Sequence, residues 1–322
     1  MNPLGSRWAA RAGAWLGAAL IAVSLAACGE GRTAIGDQPD LVGRAEATFP
    51  VTVAAANGEV TIEERPERIV SLSATATEML FAIGAGDQVV AVDDQSDFPA
   101  DAPITELSGF DVNVEALASY APDLVVYSTD PGGLEKSLRK LEITSLSQVA
   151  AVTIDDTYAQ IEQLGEVTGR VQQAELVVGR IEAEIDDIMS SLPEFEDPPT
   201  YYHELDTNYF TVTSETFIGE VYSMLGLQNI ADEADEDKTG YPQLSAEYIL
   251  DADPDLIFLA DTKCCDQNGE TVARRPGWGQ IEAVRNDAVV ELDDDVASRW
   301  GPRVVAFLRI AADAVARLDG TA

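Results

Sequence analysis

Motifs in the first half of the chain recur, in the same order, in the second half. The segment Glu78–Gly84 reads Glu-Met-Leu-Phe-Ala-Ile-Gly, and its counterpart Glu220–Gly226 reads Glu-Val-Tyr-Ser-Met-Leu-Gly. Further along, the segments Glu115–Pro122 and Glu247–Pro254 each place a glutamate seven residues before a Pro-Asp-Leu sequence. Two coincidences of this kind predict two similar lobes within one chain.

Strand and helix signals alternate inside each half. Arg68–Leu72 is apolar and β-branched, as expected of a buried strand. Ser73–Thr77 supplies N-cap residues for a helix that ends at Gly84, and Val89–Val92 is the next strand. The alternation restarts at Tyr201. This pattern is typical of parallel sheets covered by helices, so the fold class is α/β.

A long amphipathic helix is predicted between the two halves, from Val171 to Leu192, and prolines follow it. Its apolar residues at steps of three and four are Val171, Ala174, Val178, Ile181, Ile185 and Ile188. About 20 helical residues span roughly 30 Å. We therefore predict two Rossmann-like lobes joined by one helix, with a ligand cleft between them. The predicted boundaries are 59–168 for the N-terminal lobe, 169–193 for the connecting helix and 194–322 for the C-terminal lobe.

The N-terminus carries the signs of export. Residues 1–27 combine two arginines, a short apolar run and small residues at its end, as a secretory signal peptide does. The sequence Leu25–Gly29 resembles a bacterial lipobox, in which the cysteine is acylated; an ordinary signal with a chance cysteine is the alternative. We predict lipidation at Cys28 and a flexible tether over 28–58. The folded part would then be lipid-anchored on the outer face of the cytoplasmic membrane, either extracellular or periplasmic.

Net charge and the counts of cysteine and histidine limit the kinds of partner and metal site that the chain can have. A formal net charge of -37 disfavours nucleic acid and anionic membrane surfaces, so membrane contact is expected through the lipid anchor alone. The adjacent Cys264 and Cys265 could form a disulfide, bind a soft metal or be a plain loop pair. The single histidine, His203, excludes a His-rich metal cage, and no metal site is predicted.

A set of loose motifs, specific in their order and spacing, resembles the substrate-binding proteins of iron-chelate (siderophore) and vitamin B12 importers. These motifs are Arg68–Leu72, Thr77–Leu80, Gly84–Gly86, Ser96–Pro99, Asn113–Leu117, Ala121–Val125, Thr216–Gly219, Leu244–Glu247 and Arg299–Arg303. The resemblance implies little hinge motion and delivery of cargo to a two-fold ABC permease with its ATPase. It also implies no chemistry on the cargo, hence no catalytic residues, no cofactor and no enzyme activity. We expect a monomer.

The cargo stays open between a ferric siderophore, a corrinoid, and haem or another chelate. In the B12-binding protein tryptophans wall the corrin site; the matching positions lie near Gly109 and Ser128, and neither is aromatic. The predicted ligand-binding residues are Phe98, Phe110, Tyr127, Arg299, Trp300 and Arg303. The two arginines suit an anionic chelate, although a surface pair capping the last helix is the alternative. His203 is a possible haem ligand, but a buried structural histidine is the simpler interpretation.

Glu115 and Glu247 occupy equivalent positions in the two repeats, each at the start of a helix. A glutamate there can simply complement the helix dipole. In the resembling family, however, the matching glutamates dock on permease arginines. We therefore predict that this pair contacts the permease.

Two other classes of protein fit the sequence less well. An extracellular hydrolase would need a nucleophile and base or paired carboxylates. With 57 acidic residues, carboxylate pairs arise by chance, and the chain has no Gly-x-Ser-x-Gly sequence. A structural or adhesive lipoprotein would have no use for a cleft.

Overall fold

The computed structural model describes residues 48–193 and 195–319. The predicted signal peptide, Cys28 and most of the predicted tether lie outside these residues. Within the part of the chain that is described, no helix is both long and apolar enough to cross a bilayer.

An antiparallel hairpin precedes the first lobe. It pairs β1 (Val51–Ala55) with β2 (Gly58–Ile62). The predicted tether, which extended to residue 58, is therefore wrong at its end. The overlooked signal is Gly58, which follows the turn residues Ala56 and Asn57 and has a left-handed backbone with φ of 105° that closes the hairpin.

The first sheet is parallel. Its strands are β3 (Ile69–Leu72), β4 (Val89–Asp93), β5 (Ile104–Leu107), β6 (Leu124–Tyr127) and β7 (Thr144–Ser147). The helices of this lobe are α1 (Ala74–Ala82), α2 (Val114–Ser119) and α3 (Leu134–Lys140). The strand order is β5-β4-β3-β6-β7, so the chain starts in the centre, builds one side and then the other. The point where the direction changes, beside β3, is where open α/β sheets bind ligands.

Two helices lead from the first sheet to the second. α4 (Ile154–Thr168) and α5 (Val171–Ser190) are separated by Gly169, which has a left-handed backbone with φ of 74°. α5 is the predicted connecting helix, and the apolar stripe read from the sequence is its buried face except for the partly exposed Val171.

The second sheet repeats the first with one strand fewer. Its strands are β8 (Thr200–Glu204), β9 (Gln228–Asn229), β10 (Leu256–Leu259) and β11 (Val289–Glu291). The helices around it are α6 (Phe217–Met224), α7 (Ala246–Ala252), α8 (Thr262–Cys265), α9 (Gly269–Ala273), α10 (Glu282–Arg285), α11 (Asp294–Ser298) and α12 (Val304–Asp319). All its strands are parallel, in the order β11-β10-β8-β9, so β8 holds the inner place that β3 holds in the first lobe.

The aspartate of each Pro-Asp-Leu segment makes an equivalent hydrogen bond in its lobe. The Asp123 carboxylate accepts hydrogen bonds from the backbone N–H of Arg68, just before β3, at 3.0 and 3.1 Å. The Asp255 carboxylate accepts one from the backbone N–H of Thr200, the first residue of β8, at 2.8 Å. Each aspartate thus ties the start of one inner strand to the start of its neighbour, and the repeated motif has a physical reason.

The two lobes share a core. One continuous apolar cluster contains buried side chains of both sheets and of α1, α4, α5, α6 and α12. α5 packs against α4 on one side and against α12 on the other. The buried face of the connecting helix is therefore part of the core that both lobes share, and little hinge motion stays a prediction.

Candidate ligand cleft

A cavity of about 150 Å³ lies at the carboxyl ends of β3, β4 and β6. Ser73, Asp93 and Ser128, at or just after these strand ends, form one wall. Arg299 and Trp300, which follow α11 in the second lobe, form the opposite wall. The cavity thus sits at the switch point of the first sheet and is closed by the other lobe.

A larger groove, of about 620 Å³, runs between α5 and α12. Its walls are helix side chains, among them Arg180, Glu184 and Arg309. It touches no strand end, so we assign the candidate ligand site to the smaller cavity.

The predicted aromatic residues are placed differently from one another. Phe110 lines the cavity with 72% of its surface exposed, and Trp300 lines it while donating from Nε1 to Oε1 of Gln160 at 3.0 Å. Phe98 is 44% exposed, and its ring lies under the Arg303 guanidinium at 4.4 Å from the ring centre. Phe110 and Trp300 are therefore free to contact a ligand, and Phe98 supports an arginine.

The prediction that Tyr127 walls the cleft is wrong. Its side chain is 1% exposed and packs with Leu117 and Leu138 under the first sheet. Burial raises the pKa of the Tyr127 hydroxyl. Ser128, the next residue, lines the cavity instead.

Both terminal nitrogens of the Arg299 guanidinium donate to protein groups. Its Nη1 donates to Oε1 of Glu78 at 2.9 Å and to Oδ1 of Asp97 at 3.0 Å. Its Nη2 donates to Oδ1 of Asp295 at 2.7 Å and to the carbonyl of Gln95 at 2.9 Å. Burial alone would lower the pKa of Arg299, but the hydrogen bond to Glu78 and the nearby acids outweigh it and raise the pKa.

Arg303 shares the same carboxylate. Its Nε donates to Oε2 of Glu78 at 2.8 Å, and its Nη2 donates to Oε1 at 2.6 Å. The hydrogen bonds with Glu78 raise the pKa of Arg303. The expectation that both arginines are available to an anionic cargo is corrected, because their charges are already met inside the protein.

Sequence reasoning missed Glu78 as a site residue. It is the only charged residue of α1, and its side chain is 1% exposed. A lone carboxylate on the buried face of an apolar helix needs a partner, and that was the available signal.

Two further residues shape the cavity. The Asp93 carboxyl is buried, accepts from Oγ of Ser96 at 2.5 Å, and has a pKa raised by burial. A Cβ at position 109 would lie 2.7 Å from Oδ2 of Asp93, so Gly109 is required by the close approach of this carboxyl.

A second buried charge cluster lies at the carboxyl edge of the second sheet. The Arg275 guanidinium forms a two-pronged ion pair with the Glu204 carboxylate, at 2.6 and 2.5 Å. Asp261 is fully buried beside them, and its two carboxylate oxygens have no hydrogen-bond partner among the described residues. Burial, followed by the charge of Glu204, raises the pKa of Asp261 to about 7.

Cys264 and Cys265 form a disulfide in α8, one of the alternatives that the sequence left open. No group of three or more histidine, cysteine or acidic side chains in the described chain is arranged to hold a metal ion.

His203 is fully buried in β8, with Nδ1 2.9 Å from the hydroxyl of Tyr222. Burial lowers its pKa to about 3, so it is a neutral core residue that does not reach the cleft.

Glu115 and Glu247 hold equivalent, exposed positions. Each is the second residue of its helix, α2 or α7, and the N-caps are Asn113 and Ser245. Across the described residues, neither carboxylate takes part in a side-chain hydrogen bond or ion pair. Since the caps already satisfy the helix ends, the two carboxylates are free for an external partner.

Two parallel α/β lobes, with a cavity at strand ends and a wall supplied by each lobe, define a small-molecule binding protein of the two-lobed type. The chain belongs to the Periplasmic binding protein family, which residues 69–296 match. This is a family of extracytoplasmic binding proteins, and it confirms the substrate-binding class that the motifs predicted.

Individual relatives agree. The chain is 32% identical over 306 residues to the ABC transporter substrate-binding lipoprotein YvrC of Bacillus subtilis, covering 92% of this chain and 94% of the relative. The vitamin B12-binding protein BtuF of Vibrio cholerae has a TM-score of 0.68 at 25% identity, covering 80% of this chain and 98% of that one. A possible iron-binding protein of Staphylococcus epidermidis has a TM-score of 0.67 at 26% identity, covering 78% and 99%.

Proposed function

We propose that this chain captures a metal chelate outside the cytoplasmic membrane and delivers it to a two-fold ABC permease with its ATPase. The observation that carries the proposal is the cavity at the carboxyl ends of β3, β4 and β6, closed by Arg299 and Trp300 from the second lobe. Its aromatic rings and hydroxyls suit a chelate with both apolar and polar faces, of which a cavity of this size receives one part.

A ferric siderophore is the first candidate cargo. A corrinoid is the second, favoured by the likeness to the vitamin B12-binding protein. Haem ranks below both, because His203 is the single histidine of the chain and its imidazole is enclosed in the core. In each case the protein changes nothing in the cargo, so we propose no enzyme activity, no resident cofactor and a monomeric carrier.

Docking is assigned to Glu115 and Glu247. A permease made of two equal halves presents the same surface twice, and the pseudo-repeated lobes offer one exposed acid each. We propose that each carboxylate meets a permease arginine.

The anchor is assigned to Cys28, which precedes the first described residue by 20 positions. We propose that two acyl chains on this cysteine hold the protein at the membrane, since one chain gives only reversible binding.

Intrinsic fluorescence titration tests the proposal. Trp300 lines the cavity and Trp278 is fully buried, so among the described tryptophans Trp300 is the one that a bound chelate can touch. The panel comprises a ferric hydroxamate, a ferric catecholate, cyanocobalamin and haemin, beside a set of esterase and glycosidase substrates. We expect one chelate to bind and no substrate to turn over. Trp300→Phe is the matched control: it should reduce the quenching while calorimetry still detects binding. Turnover without chelate binding would contradict the proposal.

A further inference from the structure

The cavity offers no unpaired positive charge. Of the described residues that line it, Arg299 is the one cation, and it already contacts the carboxylates of Glu78, Asp97 and Asp295. Arg299 as a whole is 8% exposed, so little of it faces the cavity. An anionic cargo would meet an arginine whose two terminal nitrogens already bind three carboxylates, one of them on the exposed side chain of Asp97.

The cations beyond Arg299 are bound in the same way. Arg303 is paired with Glu78, which Arg299 also uses. Lys263 lies further out, with Nζ 2.8 Å from Oδ1 of Asp293 and 2.7 Å from Oδ2 of Asp295. These three cations thus face four carboxylates, those of Glu78, Asp97, Asp293 and Asp295. The surroundings of the cavity therefore carry an excess of negative charge.

None of the other described lining residues is a cation, and Asp93 adds a further carboxyl to the wall. Ser73, Ser128, Thr129 and Ser298 supply hydroxyls. The exposed ring of Phe110 presents a face that attracts positive charge, and a desolvated cation over an aromatic ring gains more than one in water.

From this arrangement we infer that the cargo carries no net negative charge: it is a neutral or cationic chelate, held by aromatic faces and hydroxyls. This inference rests on the proposed function and deepens it. It excludes ferric catecholates and carboxylate-rich chelates, and it reverses the charge first expected from the two arginines. Like charges brought together across a binding surface disfavour the complex, so the excess of carboxylates acts as a filter.

A series of matched chelates tests the inference. The ferric complex of desferrioxamine B carries a free ammonium; its N-acetyl form is neutral, and its N-succinyl form carries a carboxylate. Cyanocobalamin and its monocarboxylate give the same comparison for corrinoids. We expect the anionic member of whichever series binds to have a Kd at least about tenfold higher than the neutral or cationic member. Equal or tighter binding of the anionic member overturns the inference.

A charge variant sharpens the test. Asp97 is exposed and contacts Arg299. Asp97→Asn should therefore lower the ratio of the Kd of the anionic chelate to the Kd of the neutral one by about two- to fivefold. Asp87→Asn is the matched control, because Asp87 precedes β4 and thus lies at the opposite end of that strand from Asp93. Asp87→Asn should leave this Kd ratio unchanged. An equal effect of the two variants overturns the explanation that carboxylates near the cavity disfavour anionic chelates.

The outcomes separate the inference from the function on which it rests. Binding of an anionic ferric catecholate alone keeps the carrier function and overturns the charge inference. Failure of every chelate, at any charge, overturns the carrier function and the inference with it.

Discussion

The carboxylate of Glu78 and the guanidinium of Arg299 are 221 positions apart in the sequence and 2.9 Å apart in the structure. Glu78 belongs to the first helix of the N-terminal lobe, and Arg299 follows α11 in the C-terminal lobe. With Arg303 bound to the same carboxylate, one buried acid joins the two lobes beside the cavity.

Glu78→Gln should destabilise the protein strongly. The substitution keeps the shape of the side chain but leaves two arginines without their shared charge, and breaking a buried ion pair costs about 3–5 kcal/mol. Urea unfolding followed by circular dichroism measures the free energy of unfolding. The control is Glu184→Gln, which removes the pair with Arg309, where both side chains are about half exposed; it should cost less than about 1 kcal/mol. Similar losses for the two variants would contradict the central place of Glu78.

Reversing Glu115 and Glu247 together to lysine should abolish uptake by the cognate permease in reconstituted vesicles. Cargo affinity should not change, because neither residue lines the cavity. Stability should fall by no more than about 1 kcal/mol per site, the value of a helix-dipole interaction. Glu162→Lys with Glu166→Lys, two exposed positions on α4, changes the charge equally and should leave uptake intact. Normal uptake by the Glu115 and Glu247 variant would refute the docking assignment.

Cys28→Ala should release the protein from the membrane. Without the thiol no acyl chain can be attached, and each buried methylene of such a chain contributes about 0.8 kcal/mol to membrane binding. Metabolic labelling with palmitate and fractionation check this, with wild-type protein as the positive control. A variant that still incorporates palmitate and stays in the membrane fraction would contradict the prediction.

Asp261→Asn should make the protein more stable above neutral pH. The pKa of Asp261 is raised in the folded state from 3.8 to about 7, so the folded protein binds a proton that the unfolded chain releases. Wild-type stability therefore decreases, through this group, as pH rises from about 4 to 7, whereas an asparagine cannot ionise. The variant should gain up to about 4 kcal/mol over wild type at pH 8 relative to pH 4, since one pKa unit is about 1.4 kcal/mol. Unfolding titrations at both pH values measure it, and a difference independent of pH would show that Asp261 does not ionise in this range.

The repeats in the sequence were enough to predict the fold class and the two sheets. The Pro-Asp-Leu sequence recurs because its aspartate makes the same kind of hydrogen bond in both lobes. The carboxylates of Asp123 and Asp255 each accept from a backbone N–H at the start of the neighbouring strand. Local signals of this kind depend on neighbours in the sequence, and they were read correctly.

The wrong predictions concern side chains whose neighbours in the structure are distant in the sequence. Leu124–Tyr127 is buried at all four positions, so it has no alternation from which to predict that Tyr127 points into the core. The arginines of Arg299–Arg303 looked free because the carboxylate that binds both lies in the other lobe. β1 was also missed, because the composition around it resembles that of a tether and Gly58 was not recognised as the residue that closes a hairpin turn.

The junction at Glu78 also has a consequence for the order in which the molecule can be completed. A chain made from its N-terminus exposes α1 long before residues 299–303 exist, so Glu78 stays hydrated until nearly the whole polypeptide is present. Burying that carboxylate earlier would leave its charge uncompensated. We therefore expect final docking of α1 against the second lobe to come late in folding, and a truncated chain that stops before Arg299 should fail to close the cavity even if both sheets have formed.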